Sequence, residues 1–295
     1  MTDNNKQKLA IITGANSGIG KETALGLAKS DFKVILACRN LDKGEQAKEY
    51  IVKNSNNNNI VVEQLDLADL ANVKDFAKRI NSSIKTIDVL INNAGGIFNT
   101  LGYTKDGIEQ TFGINHLGHF YLTRLLLETI LASAPSRIIN ISSFGHFSAN
   151  GIQLNDINYE KTGYRGFKAY SQSKLANIYF TKYLASKLNP NQTTVNALHP
   201  GAVRSGFGMD GDLKGLYGEF NKLIRVFEIP SSSGAKTPIY LATSDKVDKV
   251  TGQYFSRKRK GLLSPKANSE KDAKELWEFS EKLLAEKGFE VPPLN

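Results

Sequence analysis

The sequence predicts an α/β fold: one parallel sheet with helices on both faces, wound outward in two directions from its middle. Two patterns predict it. Short apolar runs alternate six times with longer amphipathic stretches. Most of those runs are continuous rather than alternating, as expected of strands buried on both faces. No Pro/Gly/Ser-rich linker, composition shift or internal repeat divides the 295 residues, so a single domain spanning 1–295 is expected.

The elements follow in order. Residues 9–13 (LAIIT) read as the first strand, followed by a Gly-rich turn and a helix to about residue 30. Residues 33–39 (KVILACR) give the second strand and 42–53 a polar helix. An Asn-rich loop, 55–59, precedes strand three at 60–65 and a helix over 69–81. Strand four is 87–91 (IDVLI), and a long helical pattern covers 105–133. Strand five is 137–141 (RIINI), and a loop leads to a helix through Tyr170 that ends before Pro190. Strand six is 193–198. After an irregular stretch over 199–230, a helix, a short strand and an amphipathic helix near 269–287 close the chain. Right-handed crossovers between such strands produce the doubly wound, Rossmann-type arrangement.

Charge and composition exclude several classes. The net charge is +9, and the dense basic run is Arg257-Lys-Arg-Lys260. No zinc-finger spacing or RNA-binding aromatic signature accompanies it, so no nucleic acid is expected, and the run reads as solvated surface or a weak contact with an acidic surface. The first eight residues are polar and no apolar run reaches 18 residues, so no membrane anchor and a cytoplasmic location are expected. The lone Cys38, inside an apolar run, reads as a buried small hydrophobe. His116, His119, His146 and His199 lack metal-ligand spacing, and no metal is expected.

Two motifs carry chemistry. Thr13-Gly-Ala-Asn-Ser-Gly-Ile-Gly20 lies between the first strand and first helix. Gly14 suits a tight turn, Gly18 lets backbone approach a phosphate, and Gly20 allows close helix–strand packing, with the helix N-terminus facing a pyrophosphate. Tyr170 and Lys174 are four apart on a convincing helix, so they share a face. A free phenol titrates at about 10, and a neighbouring ammonium lowers that value, so the pair can exchange a proton with a substrate oxygen. Tyr164/Lys168 and Tyr254/Lys258 share the spacing, but glycines break the first and the second lies in a strand-like run.

The TGxxxGIG turn, together with Asn92-Asn-Ala-Gly95, Asn115, Ser142-Ser143, Tyr170/Lys174 and Pro200-Gly201, resembles the short-chain dehydrogenase/reductase family over most of the chain. NHLGHF, INISS, YSQSKLAN and HPG look closest to its retinol dehydrogenase-like branch. The resemblance implies an oxidoreductase exchanging hydride with a carbonyl or alcohol. Its catalytic residues would be Asn115, Ser143, Tyr170 and Lys174, with Ser143 preferred to Ser142. Tyr170 would be the acid or base. Lys174 would lower the Tyr170 pKa and bind the nicotinamide ribose, Ser143 would polarise the substrate oxygen, and Asn115 would hold a water that joins Lys174 to solvent. The cofactor would lie against Gly14, Asn16, Ser17, Gly18, Ile19, Gly20, Asp66, Leu67, Asn93, Ala94, Gly95, Tyr170, Lys174, Pro200, Gly201, Val203 and Ser205. Asp66 has two readings, an adenine contact or a helix N-cap. Arg39 stands at the end of strand two where NAD enzymes usually place a carboxylate. With Lys21 as a weaker second charge, it points to NADP(H) over NAD(H). Residues 144–168 look inserted. Phe144, Phe147, Tyr164 and Phe167 there suit either an apolar substrate pocket or a satellite core. Residues 206–230 fit either a substrate lid or an ordinary surface loop with a helix. The helices over 105–133 and 170–188 match the family's usual homodimer interface. The competing reading is a non-catalytic NADP(H)-binding regulator.

Overall fold

The computed structural model describes residues 7–201 and 230–294. Val203, Ser205 and the expected lid, apart from Pro230, lie outside the described residues. The first half alternates strictly: β1 (Leu9–Thr13), α1 (Gly18–Lys29), β2 (Lys33–Cys38), α2 (Leu41–Ser55), β3 (Ile60–Gln64), α3 (Leu70–Ser83) and β4 (Val89–Asn92). Then come α4 (Gln110–Phe112), a π-helical turn (Gly113–Leu117), α5 (Gly118–Leu131), β5 (Ser136–Ile141), α6 (Gly166–Lys187) and β6 (Thr193–His199). The described remainder holds α7 (Ser231–Gly234), α8 (Lys236–Thr243), β7 (Tyr254–Ser256), β8 (Arg259–Lys260) and α9 (Glu270–Glu286).

The strands form one sheet in the order β3-β2-β1-β4-β5-β6-β7-β8. Every pairing is parallel except the terminal β7–β8 hairpin. The chain runs outward from β1 through β2 and β3, then returns to β4 on the other side. This reversal beside β1 opens a crevice at the carboxyl ends of the strands. Alternate residues of a strand feed opposite cores. Ile11 and Ile35 join the core under α3, α5, α6 and α9, whereas Ala10, Ile12, Val34 and Leu36 join that under α1, α2 and α8. Two-sided burial explains the continuous apolar runs.

The helical region begins later than its periodicity suggests. Gly107 turns the chain at φ 70°, and the Glu109 carboxylate accepts the N–H groups of Thr111 (2.7 Å) and Phe112 (2.8 Å). Residues 105–109 are therefore a turn capped by Glu109 rather than helix. At the far end, α9 covers the outer faces of α5 and α6. The Trp277 ring lies 4.8 Å from those of Phe120 and Tyr183, and buried Arg124 stacks on it while pairing with Glu281. Part of the α5–α6 surface matched to a homodimer interface, around Phe120, Arg124, Phe180 and Tyr183, thus packs against the chain's own helix.

Candidate active site

The crevice begins at Thr13. Gly14 adopts φ 64°, and α1 starts at Gly18. Any side chain on Gly20 would meet Gly14 O at 2.4 Å, so only hydrogen fits there. Ser17 makes no side-chain cap, which leaves the first-turn N–H groups of α1 available to an anion. Asn16 and Ile19 are half-buried beside exposed Ser17. Across the crevice, the turn after β4 is tied to β1. Asn93 N and Ala94 N both donate to Thr13 Oγ1 at 2.9 Å, and Asn93 Nδ2 donates to Thr13 O at 2.7 Å.

Arg39 is exposed at the end of β2, with no ion pair among the described residues. Lys21, the second candidate charge, sits over the Tyr50 ring at 4.3 Å. Asp66 is not a helix cap: its Oδ1 accepts Ala68 N (3.0 Å), while Asp69 caps α3 by accepting Asn72 N. Leu67 is buried against Gly118. On the far side, Gly201 follows Pro200 and donates to His199 Nδ1 at 3.1 Å. This cradle of glycines and uncapped N–H groups, with the exposed Arg39 guanidinium beside it, fits the phosphates of a dinucleotide.

The other four residues converge at the middle of the crevice. Ser142 Oγ is spent on Lys174 O (2.7 Å), whereas Ser143 Oγ accepts Gly145 N (3.0 Å) and hydrogen-bonds the Tyr170 phenol. Gly145 backs onto the Tyr170 ring. The buried Lys174 Nζ lies 5.5 Å from the centre of that ring and donates to Ile141 O at 3.2 Å. Asn115, in the π-helical turn, makes a reciprocal pair with the Gly96 backbone, both bonds 2.8 Å, and donates to Ser173 Oγ (3.0 Å). Gly95 fits beneath it, where a methyl group would come within 2.8 Å of Asn115 Oδ1. Turns of this kind are frequent at functional sites.

One electrostatic expectation is corrected. Burial holds the Tyr170 phenol above its ordinary value, with the Ser143 hydrogen bond pulling the other way. The net direction is upward, not downward, because desolvation of the phenolate wins without the cofactor. Burial also lowers the Lys174 amine to about 8.

Two histidines given no role by the motifs brace this centre. Thr13 Oγ1 already accepts two N–H groups, so its proton goes to His119 Nε2, 2.8 Å away. His119 Nδ1 then carries the ring proton and donates to Asn115 O at 3.2 Å. Similarly, Ser264 N donates to His146 Nε2 (3.2 Å), so His146 Nδ1–H donates to Ser143 O (2.8 Å). Burial pushes His119 down to about 3 and lowers His146, which keeps both neutral. The offset of four between Asn115 and His119 was the sequence signal for the first clamp; the second, a bond across 118 residues, had none.

The competing tyrosines separate cleanly. Tyr164 precedes α6 and bonds Phe98 O (2.8 Å), Thr111 and Glu109, while Tyr254 is in β7 and Lys258 in the turn after it. Of these three pairs, only Tyr170/Lys174 shares a helix. The inserted segment divides: Tyr164 packs with Tyr159 in a small core (5.0 Å between rings), whereas Phe144, Phe147 and Phe167 are exposed.

A doubly wound sheet with a phosphate cradle beside a Ser–Tyr–Lys–Asn cluster defines a nicotinamide-dependent oxidoreductase. The comparisons agree: the description of the short chain dehydrogenase family matches residues 8–213. The chain is 41% identical to human retinol dehydrogenase 13 over 291 residues, covering 98% of this chain and 87% of that one. It is also 41% identical to human retinol dehydrogenase 12, covering 94% and 86%. A crystal structure of an uncharacterised protein from Mycobacterium paratuberculosis superposes with a TM-score of 0.77 at 33% identity, covering 97% and 96% of the two chains. Another, described as an NAD(P)-dependent gluconate 5-dehydrogenase from Beutenbergia cavernae and solved with NADP at low occupancy, gives 0.68 at 25% identity, covering 85% and 94%. The chain belongs to the short-chain dehydrogenase/reductase family, in its retinol dehydrogenase-like branch, and acts on CH–OH and C=O groups with NAD(P).

Proposed function

We propose that this oxidoreductase prefers NADP(H) and interconverts an apolar aldehyde or ketone with its alcohol. The observation that carries the cofactor choice is exposed Arg39 at the end of β2, where no carboxylate competes for the ribose. Gly14, Asn16, Ser17, Gly18, Ile19 and Gly20 would hold the pyrophosphate, Asp66 and Leu67 the adenine, and Asn93, Ala94 and Gly95 the neighbouring ribose. The bound nicotinamide supplies the hydride for reduction or accepts it in oxidation.

In reduction, Ser143 Oγ donates to the substrate oxygen and orients it toward Tyr170. The Tyr170 phenol passes its proton to that oxygen as negative charge builds there. The phenolate left behind is stabilised by the Ser143 hydrogen bond and the nearby Lys174 ammonium. Asn115 holds the Gly95–Gly96 backbone against this centre. In alcohol oxidation the proton moves the other way. The exposed Phe144 and Phe147 at the mouth support an apolar substrate.

Titrations with NADPH and NADH, followed by turnover on a panel of carbonyls, test the reading. NADPH should bind more tightly, and Arg39→Asp should narrow or reverse the difference. Equal affinities in the unmutated protein would remove the NADP(H) preference. Tight NADPH binding without turnover across the panel would favour the regulator.

A further inference from the structure

Phe144 and Phe147 stack with ring centres 4.7 Å apart, directly after Ser143, and are 63% and 38% exposed. Phe144 also lies 6.1 Å from the His199 ring. His199 pairs with Ser256 across β6 and β7, so Arg257, the next residue, begins the turn beside His199. An apolar shelf therefore leads from the catalytic serine to a cation. Arg257 begins the run of four exposed cations through Lys260, none of which makes an ion pair with a described residue.

The backbone of this run is unusual. Arg257 and Lys258 both have positive φ, 49° and 63°. Two-residue hairpin turns of this shape favour Asn and Gly because a side chain is strained there. Lys260 and Arg259 lie on the edge strand β8, where charge guards against pairing with other chains. Arg257 and Lys258 are in the turn, outside the ladder, so edge protection does not account for them. Strain kept at the rim of a site invites a functional reading.

We propose that the substrate is an anionic amphiphile: its carbonyl lies at Ser143 and Tyr170, its apolar body on Phe144 and Phe147, and its carboxylate or phosphate at Arg257 and Lys258. The proposal rests on the oxidoreductase reading above and adds the charge of the substrate's far end. Arg257 and Lys258 then set specificity rather than chemistry.

The test compares a medium-chain ω-oxo carboxylic acid with its methyl ester at saturating NADPH, below micellar concentrations. The acid should have the higher kcat/KM, by about tenfold at low salt, and the advantage should shrink as added salt screens the charges. Arg257→Glu with Lys258→Glu should bring the ratio to one or below. Lys274→Glu, on the exposed side of α9, should leave the ratio in place. Calorimetry with dodecanoate on the NADPH-loaded protein gives a second readout, which the double variant should weaken. Equal kcat/KM for acid and ester in the unmutated enzyme overturns the proposal and leaves the oxidoreductase reading standing. Turnover of neither, with NADPH bound, overturns both. Binding to phosphatidylserine vesicles without any preference for the free acid assigns the cations to a bilayer surface, and also overturns it.

Discussion

Tyr170 and Tyr164 are six residues apart, yet their hydroxyls have different partners, so the same substitution should have different consequences. Tyr170→Phe removes the proton donor and should abolish most turnover while NADPH affinity stays near normal. Tyr164→Phe should keep turnover but lower stability by about 1 kcal/mol, because the Phe98 carbonyl and Thr111 lose a half-buried partner. Steady-state rates and urea unfolding of both variants separate the roles; loss of activity in Tyr164→Phe alone would reverse the assignment. Lys174 gives a pH prediction. Its amine titrates near 8 in the cofactor-free protein, and reduction uses its charged form, so the rate of carbonyl reduction should fall as pH rises through about 8. Lys174→Arg keeps its charge through this range, so that limb should move to higher pH with a partial loss of rate. Rates from pH 6 to 10 check this, and an unchanged limb in Lys174→Arg would refute it.

At the scale of elements, α9 matters most. Trp277 is buried among Phe120, Phe180 and Tyr183, so Trp277→Ala should cost about 3–5 kcal/mol. Urea unfolding measures it directly, and a loss below 1 kcal/mol would show that α9 is only loosely seated. The local elements were legible in the sequence because their causes are local. The β1–α1 turn announces itself through Gly14, Gly18 and Gly20, and α6 through the apolar spacing after Tyr170. The late start at Gln110 was less legible, since Glu109 caps by folding back on its own turn. The π-helical turn was not legible at all: Asn115 is held there by Gly96 and Ser173, partners that only the tertiary fold supplies.

For the whole molecule, the parallel sheet and most of the candidate site could be read from apolar runs and spaced motifs. The β8 edge, the α9 cover and the His146–Ser264 clamp could not, because each depends on segments distant in sequence. Two fully buried histidines, His116 and His119, bear on acid stability. Burial lowers His116 and His119 to about 3 when folded, whereas an unfolded histidine titrates at about 6.5. Between these values the unfolded chain binds protons that the folded chain refuses. Stability is therefore retained above pH 6.5 and declines on acidification, by about 1.4 kcal/mol per pH unit for each such histidine well inside the window. His116→Phe should flatten this slope between pH 6 and 4.5, relative to the unmutated protein, in urea unfolding. An unchanged slope would show that His116 takes up its proton without unfolding.

The α9 cover also bears on biogenesis. A ribosome delivers this chain from its N-terminus, so β1 to β6 and both helices beneath the cover emerge well before residue 270 does. Until then Phe120, Phe180 and Tyr183 have no Trp277 to pack against, and the nascent chain presents a sticky aromatic face. Chaperone demand and inclusion-body formation should accordingly peak late in translation, and stalling between β6 and residue 270 should be more harmful than stalling directly after β4, before Phe120 is made.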